Sequence, residues 1–516
     1  MTLKYRTVHN FLCGTYKFLQ RYAFLRSSSL CDRTHFSFIF QFDIKPKIFL
    51  FQFDIKPKVL RLYIQQVVEL VSHLTMVLLV FVKIKKTMLK AVILVGGPQK
   101  GTRFRPLSLD MPKPLFPIAG RPIIQHHIEA CVQLPNLKEI LIIGYYPQAE
   151  MDNFVVSLQN LYSINIRYLQ EFTSLGTAGG MYHFRDQIRA GNPKAFFVLN
   201  GDVCADFPLR DLYEFHNQRP ASALVTIMST EAAREQAIHY GCLVFDRVSG
   251  AVSHYVEKPS SYVSTFINCG VYVCSLHIFA KLAEVFHSKV QEFSGYANGK
   301  GKDQGHIRWE QEVLTPLANT NQLYAMPVPS WWSQIKAAGS AIYANRHYLE
   351  LYKKTHPERL ANAGVKHGED DGNLICTIFP DVYIHPSATV HHTAVLGPNV
   401  SIGAGVSISA GVRIRESIVL ENALIKEHTL ILHSIVGRCS VVGQWSRIEG
   451  TPSDPDPNKP FAKMENPPLF NKEGKLNPSI TILGCFVQVP SEKILLNSIV
   501  LPHKELARSF KNEIIL

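Results

Sequence analysis

The sequence predicts an α/β domain of Rossmann-like type, with a mixed and mostly parallel sheet, followed by a left-handed parallel β-helix built from hexapeptide repeats. Three observations carry that expectation. Apolar runs alternate with helix-like stretches from Met88 onward, a glycine-rich turn closes the first of those runs, and a six-residue aliphatic beat begins at Val382. At 516 residues the chain is long enough for two or three domains, each with its own core. The expected organisation is an atypical extension over 1–87, an α/β domain over 88–345, a linker over 346–380, and the β-helix over 381–516 with an inserted loop at 451–479.

The extension does not read as a folded domain. It holds the string FQFDIKPK twice, at Phe40 to Lys47 and at Phe51 to Lys58. A repeat that short is no solenoid, which stacks units of about 20 residues or more. The apolar run Val67 to Val82 contains Glu69 and His73 and is 16 residues long. That is short of the roughly 20 needed to cross a bilayer, and it lies too far along the chain for a signal peptide, so no membrane partner is expected.

Charge follows the same boundary. The net charge is +13, yet residues 1–87 hold 14 Lys+Arg against 4 Asp+Glu, leaving 40 against 37 for the remainder. No basic stripe interleaved with aromatics occurs beyond residue 87, which argues against a nucleic-acid partner. The ten cysteines form no CxxC pair. Their scattered, apolar-flanked positions read as reduced core residues and a cytoplasmic location.

From Met88, LKAVILVGG, EILIIGYY, INIRYLQE, AFFVLNGDV, SALVTIM and FINCGVYVC read as strands, with a helix near Ile123 to Cys131. Such a sheet binds its ligand at the carboxyl ends of the strands. The first of those ends is VGGPQKGTRFRPLSLDMPKP, Val95 to Pro114. Gly96, Gly97 and Gly101 let backbone approach a pyrophosphate, and Arg103, Arg105 and Lys113 supply cations. The stretch lacks the G-K-[ST] ending of a Walker A loop and the G-x-G of a dinucleotide fold.

Further motifs follow in order: LGTAGG at Leu175, LNGDV at Leu199, YGCLVF at Tyr240, VEKP at Val256 and INCGVY at Ile267. Together with GG…GTRxRPL…PKP they resemble the sugar-1-phosphate nucleotidyltransferases, and within them the GDP-mannose pyrophosphorylases (mannose-1-phosphate guanylyltransferases). The resemblance implies attack of a sugar phosphate on the α-phosphorus of a nucleoside triphosphate, where positioning, cations and Mg²⁺ carry the work. It puts base and ribose against Leu94, Gly96, Gly97 and Glu171. Asp202 goes to Mg²⁺, and Glu257, Lys258 and Asn268 surround the mannose phosphate. Gly176, Thr177, Asn200 and Gly241 line the same site. In an active site of this kind Arg103, Lys113 and Lys258 would be the catalytic cations.

Two departures bear on activity. Pro98, Gln99 and Lys100 stand where the family usually has one residue between GG and GTR, which enlarges the phosphate turn. Further on, the family's W-x-D-I-G is WSQIK here, so Gln334 occupies the position of the second Mg²⁺ carboxylate and Lys336 follows. A neutral amide is a poor Mg²⁺ ligand beside a carboxylate. The Mg²⁺ site is therefore expected to be incomplete, with Asp206 as the alternative carboxylate. These departures are similar to those of the regulatory branch of that family. The resemblance then implies a subunit that binds GDP-mannose, assembles into homo- and hetero-oligomers, and regulates a catalytic beta-type guanylyltransferase subunit. An active guanylyltransferase and a non-enzymatic assembly factor of the translation-factor type are the alternatives.

Past the linker, Val382, Ala388, Ala394, Val400, Val406, Val412, Ile418, Leu424, Leu430, Val436, Val442 and Ile448 repeat at a period of six, beside a second row at Ile384, Val390, Leu396, Ile402, Ile408 and Ile414. Both rows are expected to point into triangular coils. Acyl transfer through His385, His391, His392, His428 or His433 is the minor alternative to an assembly role. The polar stretch Thr451 to Ser479 interrupts the beat and is expected to reach a partner subunit.

Overall fold

A computed structural model describes residues 88–97, 102–294, 305–361, 376–465 and 467–516. The expectations for 1–87 and for Pro98, Gln99, Lys100 and Gly101 lie outside the described residues.

Nine strands form the main sheet: β1 (Leu89–Gly96), β2 (Leu137–Gly144), β3 (Asn165–Gln170), β4 (Ala195–Asn200), β5 (Val225–Glu231), β6 (Gly241–Phe245), β7 (Val252–Glu257), β8 (Phe266–Cys274) and β9 (Leu323–Pro327). Strands β3, β2, β1 and β4 run parallel in that spatial order. Strand β8 then joins β4 antiparallel and also pairs with β5 and β6. The six expected strands are all present. The β6–β7 hairpin carries the YGCLVF and VEKP motifs.

Strand β1 is apolar after Lys90 because both of its faces are covered. Ala91 and Ile93 enter one core with Ile142 and Phe197, while Val92 enters the other with Leu141 and Phe196. At the amino ends of the strands Lys90, only 2% exposed, is 2.7 Å from Glu139, which also accepts from Arg167 Nε at 2.7 Å. The expected helix spans Ile123–Val132.

Residues 346–355 are the second half of a helix that begins at Ala338 and ends at Thr355. It lies between the α/β domain and the outside of the β-helix, packing Ala341, Tyr348 and Tyr352 with Phe116, Ile118, Ile418, Ile435 and Ile482. Asn345 is fully buried in that layer. Its Oδ1 accepts from Ala119 N at 2.8 Å and Ser401 Oγ at 2.7 Å. Arg346 Nη2 adds a 3.0 Å ion pair to Glu416.

The β-helix consists of three parallel sheets of seven, seven and five strands. Its first coil pairs Val382 with Val400, an 18-residue step. The next pairs Ile402 with Val419 and Ile408 with Ile425, a 17-residue step. This corrects the expected row of twelve at Ile418, Leu424 and Leu430, whereas its other nine members lie in the interior. Beyond Ile414 the inward aliphatics are Val419, Ile425, Ile431, Val436, Val442 and Ile448, which continue the second row. Ile418 turns outward against the 338–355 helix, and Leu424 and Leu430 are half-buried.

The first row continues instead as Ser417, Ala423, Thr429, Ser434, Ser440, Ser446 and Thr481, all nearly solvent-free and all but Ala423 carrying a hydroxyl. Their hydroxyls donate to main-chain carbonyls, as Ser417 does to Arg415 O at 2.7 Å and Ser440 to Gly484 O at 2.9 Å. Buried hydroxyls are tolerated because each is hydrogen-bonded. The inserted stretch leaves one corner after Glu449 and returns at Thr481.

All eight described cysteines are unpaired. Among the described residues no helix is long and apolar enough to cross a membrane.

Candidate functional site

The carboxyl ends of β1, β2 and β4 open into a cavity of about 750 Å³, lined by the described residues expected to hold base, ribose, phosphate, sugar or Mg²⁺, apart from Arg105 and the alternative carboxylate Asp206. Leu94 and Gly96 close β1, with Gly96 at φ 65, a left-handed conformation that favours glycine. Gly97 continues the turn. Glu171 follows β3, and its carboxylate lies where a Cβ on Gly180 would collide with it. The helix Gly176–His183 thus comes close to the carboxylate through its glycines, and contributes Gly176 and Thr177 to the wall. Asn200 ends β4 and Asp202 follows it. Arg103 and Lys113 come from the loop between β1 and the 123–132 helix.

The opposite wall is the sugar end of the expected site. Asn268 on β8 donates from Nδ2 to Tyr255 OH at 3.0 Å and to Tyr272 OH at 2.8 Å. Tyr255 OH in turn donates to Glu257 at 3.0 Å. Gly241, opposite Glu257 in the hairpin, has no room for a side chain beside that carboxylate. Lys258 adopts φ 48 and stays largely exposed, 3.6 Å from Glu257.

The centre of the site is Asp202. Its carboxylate is 3.3 Å from Lys113 Nζ and accepts from Gln334 Nε2 at 3.2 and 3.3 Å on its two oxygens. Burial pushes the carboxyl up, but Lys113, Gln334 and Lys336 outweigh it and hold it below the usual range. Gln334 arrives on the short strand Trp332–Gln334, paired antiparallel with Val203–Ala205, so the register sets amide against carboxylate. Lys336 lies two residues on, its Nζ 4.7 Å from the centre of the Tyr240 ring. Burial lowers its ammonium to about 8 although Asp202 favours the charge. Asp206 is engaged elsewhere: its Oδ1 meets His347 Nε2 at 2.8 Å and its Oδ2 accepts from Trp331 N. It is not among the cavity-lining residues.

The motifs did not reveal Glu310. It reaches the cavity from the helical turn Trp309–Leu314, where Thr177 Oγ1 donates to it at 3.3 Å. Burial, and the charge of Glu257 facing it, hold its carboxyl above the ordinary value. Trp332 and Tyr240 complete the floor, edge to face at 5.5 Å.

The inserted stretch approaches this floor from behind. Lys463 N donates to Gln236 Oε1 and Gln236 Nε2 to Lys463 O, both at 2.7 Å, while Lys463 Nζ lies 5.9 Å from the centre of the Trp332 ring. The later part of the insert leaves Leu469 and Phe470 about half exposed.

A mixed sheet whose first parallel strand ends in the Gly96–Gly97 turn, with the β6–β7 hairpin across the cavity, is the fold of a nucleotidyltransferase. The Nucleotidyl transferase family profile matches residues 90–299, and the GMPPB C-terminal domain profile matches 378–515. The chain is 80% identical over 438 residues to the mannose-1-phosphate guanylyltransferase regulatory subunit alpha of Drosophila melanogaster, covering 83% of this chain and 100% of that protein. It is 56% identical over 430 residues to mannose-1-phosphate guanyltransferase alpha-A of Xenopus laevis, and 55% over 431 residues to the regulatory subunit alpha of Homo sapiens, with the same coverage. The chain belongs to the family of mannose-1-phosphate guanylyltransferase regulatory alpha subunits.

Proposed function

We propose that this chain binds GDP-mannose in the cavity described above and, as a partner of a catalytic beta-type subunit, adjusts the rate at which that subunit makes GDP-mannose from GTP and mannose-1-phosphate. The observation that carries the reading is the state of Asp202. A carboxylate held by an ammonium and an amide is arranged to position neighbours rather than to catalyse, and the cavity around it is lined by Gly96, Gly97, Glu257, Lys258 and Asn268, the residue types that a nucleotide sugar would need. The names of the relatives support the regulatory role. Homo- and hetero-oligomers, with the β-helix as an assembly surface, belong to the same reading.

The pocket divides the work by chemistry. Glu171 and the β1 turn would face base and ribose, Lys113 and Arg103 the diphosphate, and Asn268, Glu257 and Lys258 the mannose. Calorimetric titration of the full chain with GDP-mannose tests this. Saturable one-to-one binding, competed by GDP and weakened by Glu257→Ala, is expected. Heat no larger than for an unrelated nucleotide such as UMP would overturn the reading.

A further inference from the structure

We propose that the diphosphate of a bound nucleotide sugar is neutralised here by the ammonium groups of Lys113 and Lys336, with Gln334 as a hydrogen-bonding partner, so that binding needs no divalent cation. The inference deepens the reading above and rests on it.

The residues around Asp202 do not fit Mg²⁺. That ion takes about six oxygens in a tight octahedron, usually one or two of them from protein carboxylates. Both oxygens of Asp202 already face donors, Gln334 Nε2 at 3.2 and 3.3 Å and Lys113 Nζ at 3.3 Å. The amide points its nitrogen at the carboxylate because its oxygen there would face like charge. Among the described residues no group of three or more His, Cys, Asp or Glu is arranged to hold a metal ion.

What surrounds Asp202 is cationic. Lys336 sits over Tyr240 in the fields of Asp202, Lys258, Arg103 and Glu257. Lys336 and Lys113 both line the cavity. A metal ion placed among them would meet like charge at short range and would have to displace two hydrogen-bonding partners of its own ligand. A diphosphate placed there meets fixed cations instead, and those cations need no site of their own.

The test is titration of the full chain with GDP-mannose in excess EDTA and again in excess Mg²⁺. The dissociation constants should agree within about twofold, and Lys336→Met should weaken binding at least about tenfold in EDTA while its thermal melting stays that of the parent. Gln334→Asp should restore a dependence on Mg²⁺. Binding of the parent chain that collapses in EDTA and returns with Mg²⁺ would overturn the inference and leave the function standing. No binding in either buffer would overturn both.

Discussion

At Gln334 one amide replaces a carboxylate and changes what the neighbouring side chains can do. It donates to both oxygens of Asp202, whereas a carboxylate there would repel them. Glu257→Ala removes the acceptor of Tyr255 and is expected to weaken GDP-mannose about tenfold while leaving GDP within about twofold, since GDP has no sugar to lose. Equal losses for both ligands would show that Glu257 does not face the sugar. His126 sets a pH dependence. It is stacked 3.9 Å from Tyr348, and burial lowers its imidazole from 6.5 to about 4; His216 is lowered to about 4 in the same way. Below pH 6.5 the unfolded chain takes protons that the folded chain refuses, so stability is fully present above 6.5 and is lost as pH falls toward 4. Between about pH 7.5 and about pH 5 each histidine should cost roughly 2 kcal/mol, and His126→Gln should flatten the dependence of the urea midpoint on pH.

Among the elements, the helix Ala338–Thr355 binds the two halves together. Asn345→Leu leaves Ala119 N and Ser401 Oγ without their acceptor inside an apolar layer. A loss of about 2 to 3 kcal/mol in urea unfolding is expected, against little effect from the exposed Glu350→Ala. Lys90→Met leaves the buried Glu139 with only Arg167 and Asn165 as partners and should cost about 3 kcal/mol. The strands and the Gly96–Gly97 turn were legible because their apolar runs and glycines are local signals. The coil shortening after Ile414 was not. Ile418–Val419, Leu424–Ile425 and Leu430–Ile431 are adjacent aliphatic pairs, so a count at period six stays apolar while the inward residue moves one place along. The outward Ile418 is apolar for a different reason, its contact with the 338–355 helix. Glu310 escaped notice because it arrives from a turn far along the chain with no motif around it, and only the fold places it opposite Glu257.

For the whole molecule, the insert joins the two domains in a way the sequence did not show. Its first part is anchored to the α/β domain through Gln236, Trp332 and the ion pair of Asp454 with Arg346 at 3.2 Å. Leu476, near its end, is buried in the layer between the domains. The partner-facing surface expected of Thr451 to Ser479 therefore falls to the part between them, where Leu469 and Phe470 are about half exposed. Removing residues 467–474 should leave the melting temperature within about 2 °C and abolish any effect on the partner's rate, whereas unchanged regulation would assign that effect elsewhere. The proposed function is to hold a nucleotide sugar rather than to make one. Its most direct test is GDP-mannose formation by the purified full chain, supplied with GTP, mannose-1-phosphate and Mg²⁺, alone and then with a catalytic beta-type subunit. The account predicts no product above background from the chain alone and an altered rate for the mixture; turnover by the chain alone at the rate of an active guanylyltransferase would contradict it.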